Sequence, residues 1–209
     1  MKEQDENMLK AVCDKLESRG FGAYYCKTKE EALKQALALI PKDVTIGFGG
    51  SKTLEEIGLM DAVRKGSYHL LDRDAAKSQA ERVQIMKQSL TSDVFLTGTN
   101  AVTKTGELVN IDGNGNRVAA MTYGPDQVIV VCGKNKIVED VMAGAGRARN
   151  VAAPRNAQRF QNLSIPCHED GVCHDCNSPD SICTYIVRTR RCNPKGRIQV
   201  ILVDEELGF

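Results

Sequence analysis

The stretch from Asp43 to Gly58, DVTIGFGGSKTLEEIG, carries the reading from which the fold follows. Its opening run, Asp43 to Phe48, is short, apolar and bounded by polar residues, which predicts a buried strand. Gly49, Gly50 and Ser51 then form a tight turn. Thr53, followed three residues later by Glu56, is a capping signal for a helix over about 53–57. Strand, glycine turn and helix make a βα unit, and the same alternation extends outward on both sides. Upstream, Met8, Val12 and Leu16 recur at helical spacing up to Gly20, a strand covers 21–26, and Thr28 with Glu31 opens a helix that runs to Pro41. Downstream, strands are expected at 68–72, 94–97, 127–132 and 197–203, with helices near 75–90 and 139–153. The pattern predicts an α/β fold with a mostly parallel sheet and flanking helices.

The chain has 209 residues, and 28 Lys plus Arg stand against 27 Asp plus Glu. So even a balance excludes a global electrostatic field that would advertise nucleic acid or an anionic membrane as partner. At 42% hydrophobic and 26% charged residues the composition is that of a globular protein, not a disordered one. The opening residues MKEQDE lack the apolar core of a signal peptide, and the longest apolar runs, such as Val128 to Cys132, are far too short to cross a bilayer. The expectation is a cytoplasmic protein with no membrane association.

The turn GGSKT at 49–53 is a candidate cradle for a phosphate or carboxylate, because backbone N–H groups in such turns converge on anions. It is not a P-loop, which needs glycines where this chain has Ser51 and Ile46, nor a dinucleotide fingerprint, whose third glycine is replaced by Lys52. A tight turn without ligand is the plain alternative. A second segment, TGTNAVTKTGELVNIDGNGNR at 97–117, follows the strand at 94–97 and gathers small residues, hydroxyls and amides where open α/β sheets bind ligands. Asp112-Gly113 and Asn114-Gly115 are hairpin turn signals, so a hairpin over 107–121 is expected, with Gly98 to Thr103 facing the ligand. The candidate binding residues are Gly49, Gly50, Ser51, Thr53, Gly98, Thr99, Asn100 and Asp112, and the nearby Lys52 and Lys104 favour an anionic ligand.

These segments, together with GPDQVIVVCGKNKIV at 124–138, resemble the LUD (lactate utilization) domain family over most of the chain, from about residue 5 onward. The resemblance implies a fold related to the isomerase and CoA-transferase superfamily. It also implies a subunit or accessory factor of an iron–sulfur lactate oxidation system, with iron–sulfur oxidoreductase subunits as partners. The loop residues themselves point to CoA or another phosphate-bearing ligand, and a homo-oligomer is open, since the sequence does not set the oligomeric state. Catalysis is left open by the resemblance. The CoA-transferase relatives use a nucleophilic Glu whose motif is absent here, so Glu107, beside Gly106, is a weak candidate set against a plain role as a strand residue.

Of eight Cys, Cys167, Cys173, Cys176, Cys183 and Cys192 fall in one short stretch. In a reducing compartment such clustering points to metal before disulfides, and Cys173-x2-Cys176 is the strongest element. Four thiolates suit zinc or an iron–sulfur cluster, and neither ferredoxin spacing is reproduced. Residues 144–197 also hold nine Arg or Lys against four acids. The expected organisation is a LUD domain over 1–153 plus 197–209, with a Cys-rich metal-binding appendage at 154–196. The alternative function is a metal-stabilised regulatory or nucleic-acid-binding module without catalysis. With 5% aromatic residues and no Trp for base stacking, nucleic acid is the weaker reading.

Overall fold

The structure, a computed structural model, describes residues 2–209. Helix α1 (Lys2–Ser18) leads into β1 (Gly22–Cys26), α2 (Lys29–Leu39), β2 (Thr45–Phe48), α3 (Lys52–Glu56), α4 (Leu59–Lys65) and β3 (His69–Leu70). Helix α5 (Gln79–Gln88), β4 (Val94–Gly98), β5 (Ala101–Thr103), β6 (Leu108–Asp112), α6 (Asn116–Thr122) and β7 (Gln127–Gly133) follow. The remainder comprises β8 (Ile137–Val138), α7 (Val141–Arg147), α8 (Ala153–Ala157), α9 (Pro166–Asp170), β9 (Tyr185–Thr189) and β10 (Ile198–Val203). A π-helical turn, Ala148–Ala152, joins α7 to α8.

The main sheet has six strands in the order β1-β10-β7-β4-β2-β3, every neighbouring pair parallel. A parallel sheet is buried on both faces, and the alternation of side chains along each strand sorts them into two cores. Ile129, Val131, Ile201 and Val203 pack with Ala32, Ala36, Leu54 and Leu59 from α2, α3 and α4. Val128, Val130, Val200 and Leu202 pack on the other face with Leu9, Val12 and Leu16 of α1 and with Met121 of α6. The expected α/β architecture is therefore present, and its strands all end at the same edge.

Two local expectations are corrected. The hairpin is formed by β5 and β6, residues 101–112, and not by 107–121, because Asn116–Thr122 is a helix. Asp112 decides this: its Oδ1 accepts from the N–H of Gly115 at 3.1 Å and its Oδ2 from that of Val118 at 3.2 Å, so the carboxylate that signalled a hairpin turn instead closes the entry to α6. The cap of α3 is Ser51, whose hydroxyl accepts from the N–H of Leu54 at 3.4 Å, and not Thr53.

A second sheet, β8-β5-β6-β9, sits beside the first. Its outer strand β9 comes from the Cys-rich stretch and pairs antiparallel with β6 from Leu108↔Thr189 to Asp112↔Tyr185. The stretch is thus hydrogen-bonded into the body of the fold.

Candidate functional site

Because β2 and β4 are adjacent and parallel, the turn after β2 and the segment after β4 leave the sheet at one edge and face each other. Gly98 lies against Ser51 so closely that a Cβ on it would stand 2.6 Å from the serine hydroxyl. Between these segments lies a cleft of about 850 Å³, within the usual range for small-molecule sites. Gly49, Gly50, Ser51, Gly98, Thr99, Asn100 and Asp112 all line it. At Met86 it meets an apolar recess of about 280 Å³ formed with Val83 and Leu90 of the α5 region.

Arg117, on α6, binds the floor together. Its Nη1 donates to Asn110 Oδ1 at 2.6 Å, and its Nη2 to Asn100 Oδ1 at 3.1 Å and to the Ile111 carbonyl at 2.7 Å. Thr99 and the backbone of Asn100 donate to the same Asn110 oxygen, at 3.1 and 3.2 Å. Thr99 is fully enclosed in this network, so it sets the shape of the cleft. Asp112 caps α6 and lies 3.7 Å from Arg117 Nε.

Electrostatics distinguish two cations from the rest. Around the mouth, Lys52 and Arg159 both reach Glu55, at 3.1 and 3.2 Å, while Arg64 pairs with Asp72 at 2.9 Å and Arg82 with Asp74 at 3.0 Å. Arg73 is different. Its guanidinium lies 5.7 Å from the centre of the Phe48 ring, and its buried Nε has no hydrogen-bond partner among the described residues; the nearest carboxylate oxygen, of Asp74, is 3.8 Å away. Lys136, at the carboxyl end of β7, is 4% exposed, and its Nζ donates to Thr53 Oγ1 at 2.8 Å. Burial pushes its amine down to about 8, the charges of Arg147 and Arg117 acting in the same direction. A cleft that holds a buried ammonium without an ion-pair partner among the described residues, beside a partly buried guanidinium held only loosely by Asp74, is suited to an anion.

Thr53 does not line the cleft directly; it is buried beneath Lys136, and its hydroxyl lies 3.4 Å from the Leu207 carbonyl. Glu107 lies outside the cleft. It is buried at the start of β6, where Arg188 grips both carboxylate oxygens at 2.8 and 2.9 Å and Arg19 adds a third contact at 3.0 Å. Hydrogen bonding to Arg188 first, against some cost of burial, holds its carboxyl below the ordinary value. A carboxylate so enclosed by arginines ties β9 and the residue following α1 to the start of β6 and is poorly placed to attack a substrate.

Four of the five clustered cysteines gather. Cys167 and Cys176 pack with Ala157, Ile165 and Ile182, and Arg149 Nη2 approaches Cys173 Sγ at 3.9 Å. Burial, and then the proximity of Cys173, Cys167 and Cys176, pushes Cys183 up to about 11. Cys192 is apart: it is buried in the core under α1, and its sulfur accepts from the N–H of Ile198 at 3.2 Å. The four gathered thiols match a tetrathiolate centre in kind and number. As placed, no group of three or more His, Cys, Asp or Glu among the described residues has the geometry to hold a metal ion.

Sequence reasoning did not find Arg73, Arg117 or Lys136. The position of Lys136 just beyond the strand at 127–132, at the edge where ligands bind, is a signal that was available.

The family match and one solved structure agree with this architecture. A family model described as LUD domain matches residues 9–203. A DUF162 family protein from Deinococcus radiodurans is 19% identical, with a TM-score of 0.53 over 95% of this chain and 98% of its own. Ribose 5-phosphate isomerase A from Neisseria gonorrhoeae is 15% identical with a TM-score of 0.34, covering 54% of each chain. The eIF2B delta of Chaetomium thermophilum is 17% identical with a TM-score of 0.38, over 55% of this chain and 50% of its own. No curated protein matches the sequence.

Proposed function

The chain belongs to the LUD domain family, and on that premise we propose that it serves lactate utilization by binding a small anionic ligand or cofactor in the cleft between the two glycine-rich segments. The observation that carries this reading is the presence of Lys136, a buried ammonium with no ion-pair partner among the described residues, and of Arg73, a partly buried guanidinium whose nearest carboxylate oxygen is 3.8 Å away, in one cleft lined by Gly50, Ser51 and Gly98. An anion seated there would offset the cost of burying both charges, and charge-assisted hydrogen bonds contribute roughly 1.5–3 kcal/mol each. Three or four of them support binding on the order of micromolar after the entropy of association is subtracted.

The volume is ample for more than a three-carbon hydroxy acid, and the apolar recess at Met86 suits a larger ligand with one apolar portion, so CoA and other phosphate-bearing cofactors belong in the same reading. The context proposed is an iron–sulfur oxidation system in which this chain is a subunit or accessory factor, with the four gathered cysteines as its own zinc or iron–sulfur ligands. No helix among the described residues is long and apolar enough to cross a membrane.

The test is a thermal-shift series with lactate, pyruvate, inorganic phosphate and CoA at low and high salt. A shift with one of them that shrinks as salt rises supports the reading. Shifts absent for all four, beside salt-dependent affinity for a nucleic acid, would favour a regulatory binding module instead.

A further inference from the structure

We propose that Lys136 is an amine nucleophile that condenses with the carbonyl carbon of a small oxo acid in the cleft, an inference that deepens the ligand-binding reading above and rests on it. Lys136 closes the short turn Lys134–Lys136 that follows β7, so its side chain starts at the carboxyl edge of a central strand. The residue is buried and still forms part of the cleft wall, with Phe209 also lining it.

The groups around its nitrogen are few and specific. Thr53 Oγ1 is its hydrogen-bond partner, and Gly208 passes so close that a Cβ there would stand 3.0 Å from Nζ. Arg147, Arg117, Cys132 and Glu56 supply the surrounding electrostatic field. The Arg147 guanidinium is committed to the carbonyls of Asn100, Asn135 and Phe209, at 2.6, 3.0 and 3.2 Å. Glu56 Oε2 accepts from the N–H of Gly208 at 2.7 Å and forms no ion pair with Lys136.

A purely structural role would be filled more cheaply here by Leu or Met, since a buried ammonium facing a hydroxyl and two guanidinium groups is costly. The same surroundings favour a neutral amine, which is the nucleophilic form. With burial lowering the amine to about 8, a usable fraction is free base near neutral pH. An amine of this kind adds to carbonyl carbon. The positive potential set up by Arg117 and Arg147 selects a carbonyl compound that also carries a carboxylate, which defines an oxo acid.

In the addition, the Nζ lone pair forms a bond to carbon, the carbonyl π pair moves to oxygen, and a proton passes from nitrogen to that oxygen to give a carbinolamine. Departure of the hydroxyl with the remaining amine proton, as one water, leaves the imine. No oxidant or reductant enters the balance. Thr53 acts as a positioning residue by holding the nitrogen against the wall.

The experiment incubates the full chain with pyruvate or 2-oxoglutarate and sodium cyanoborohydride, then maps the modified peptide by mass. The expected result is a near-stoichiometric reduced adduct on Lys136, lost in Lys136→Arg. Label scattered over exposed lysines such as Lys52 and Lys104, with Lys136 unmodified in the parent protein, overturns the inference even if the variant fails to fold. A melting shift with no adduct overturns imine formation and leaves ligand binding standing; neither shift nor adduct removes both.

Discussion

Lys136 Nζ donates to Thr53 Oγ1 across 2.8 Å, joining the end of the central strand β7 to helix α3 through a charge and a neutral hydroxyl. Most buried lysines are matched by a carboxylate, and this one faces none within ion-pair distance among the described residues. The mismatch has measurable consequences.

The first concerns pH. The Lys136 amine titrates near 8 when folded against 10.5 ordinarily, so between those values the unfolded chain binds more protons and stability rises with pH. Below pH 8 the whole cost of burying the ammonium is present, roughly 3 kcal/mol as an upper figure. Lys136→Met is expected to be more stable than the parent at pH 7 and to lose the rise between pH 8 and 10.5, measured by urea denaturation at stepped pH. A parent and variant with parallel pH curves would sink this account.

At Gly50 an added Cβ would meet Arg73 Nη2 at 2.6 Å, and that atom is the far end of a flexible side chain. Gly50→Ala therefore costs little stability, on the order of 1 kcal/mol or less, while pushing the guanidinium out of place. Thermal shifts with the preferred anion should fall sharply in Gly50→Ala. Retention of the full shift means that the ligand does not use this side of the cleft.

Arg73→Leu removes a partly buried cation whose enclosed Nε lacks a hydrogen-bond partner. We expect the unliganded protein to be no less stable than the parent, and the anion-induced shift to disappear together with its salt dependence. Calorimetric titration alongside thermal melting separates the two effects.

Glu107→Ala cuts three contacts with Arg188 and Arg19 at the junction of α1, β6 and β9. Because both arginines are partly solvated, the loss is expected to be about 2–3 kcal/mol, below that of a fully buried pair. The Glu107 carboxyl lies below its ordinary value, so its contribution is present at neutral pH and lost as pH falls through the lowered value. Ligand response should survive in this variant; its loss would return Glu107 to the list of functional residues.

The cysteines divide by position. Cys192 sits in the core under α1, so Cys192→Ala should lower stability by roughly 1–2 kcal/mol without altering metal content. Joint replacement of Cys173 and Cys176 by Ser should abolish any zinc or iron carried by anaerobically purified protein. Elemental analysis decides, and a metal-free parent would end the assignment.

The βα rhythm was legible because strand and helix periodicities are local, and the expected strands at 21–26, 43–48, 94–97, 127–132 and 197–203 all appear within a residue or two of their places. The hairpin was misplaced because Asp112 offers its carboxylate equally to a turn and to a helix entry, and the choice depends on the packing of Ala120 and Met121 beneath the sheet. Glycine and hydroxyl residues announced the rim of the cleft by composition alone. Arg73 and Lys136 did not, since a charged residue is read as solvated unless the chain around it is known to close over it. Cys192 was grouped by proximity in sequence, and β10 carries it away from its neighbours into a different core.

Strand β10, late in the sequence, lies between the edge strand β1 and β7 in the main sheet. During synthesis β1 emerges early and must wait, its inner edge unpaired, until residues 198–203 leave the ribosome. For that interval the nascent protein presents two open apolar edges, those of β1 and β7, to the crowded surroundings of the exit tunnel. Closure of the main sheet therefore waits on residues 198–203, and a product truncated before β10 exposes a template for aggregation.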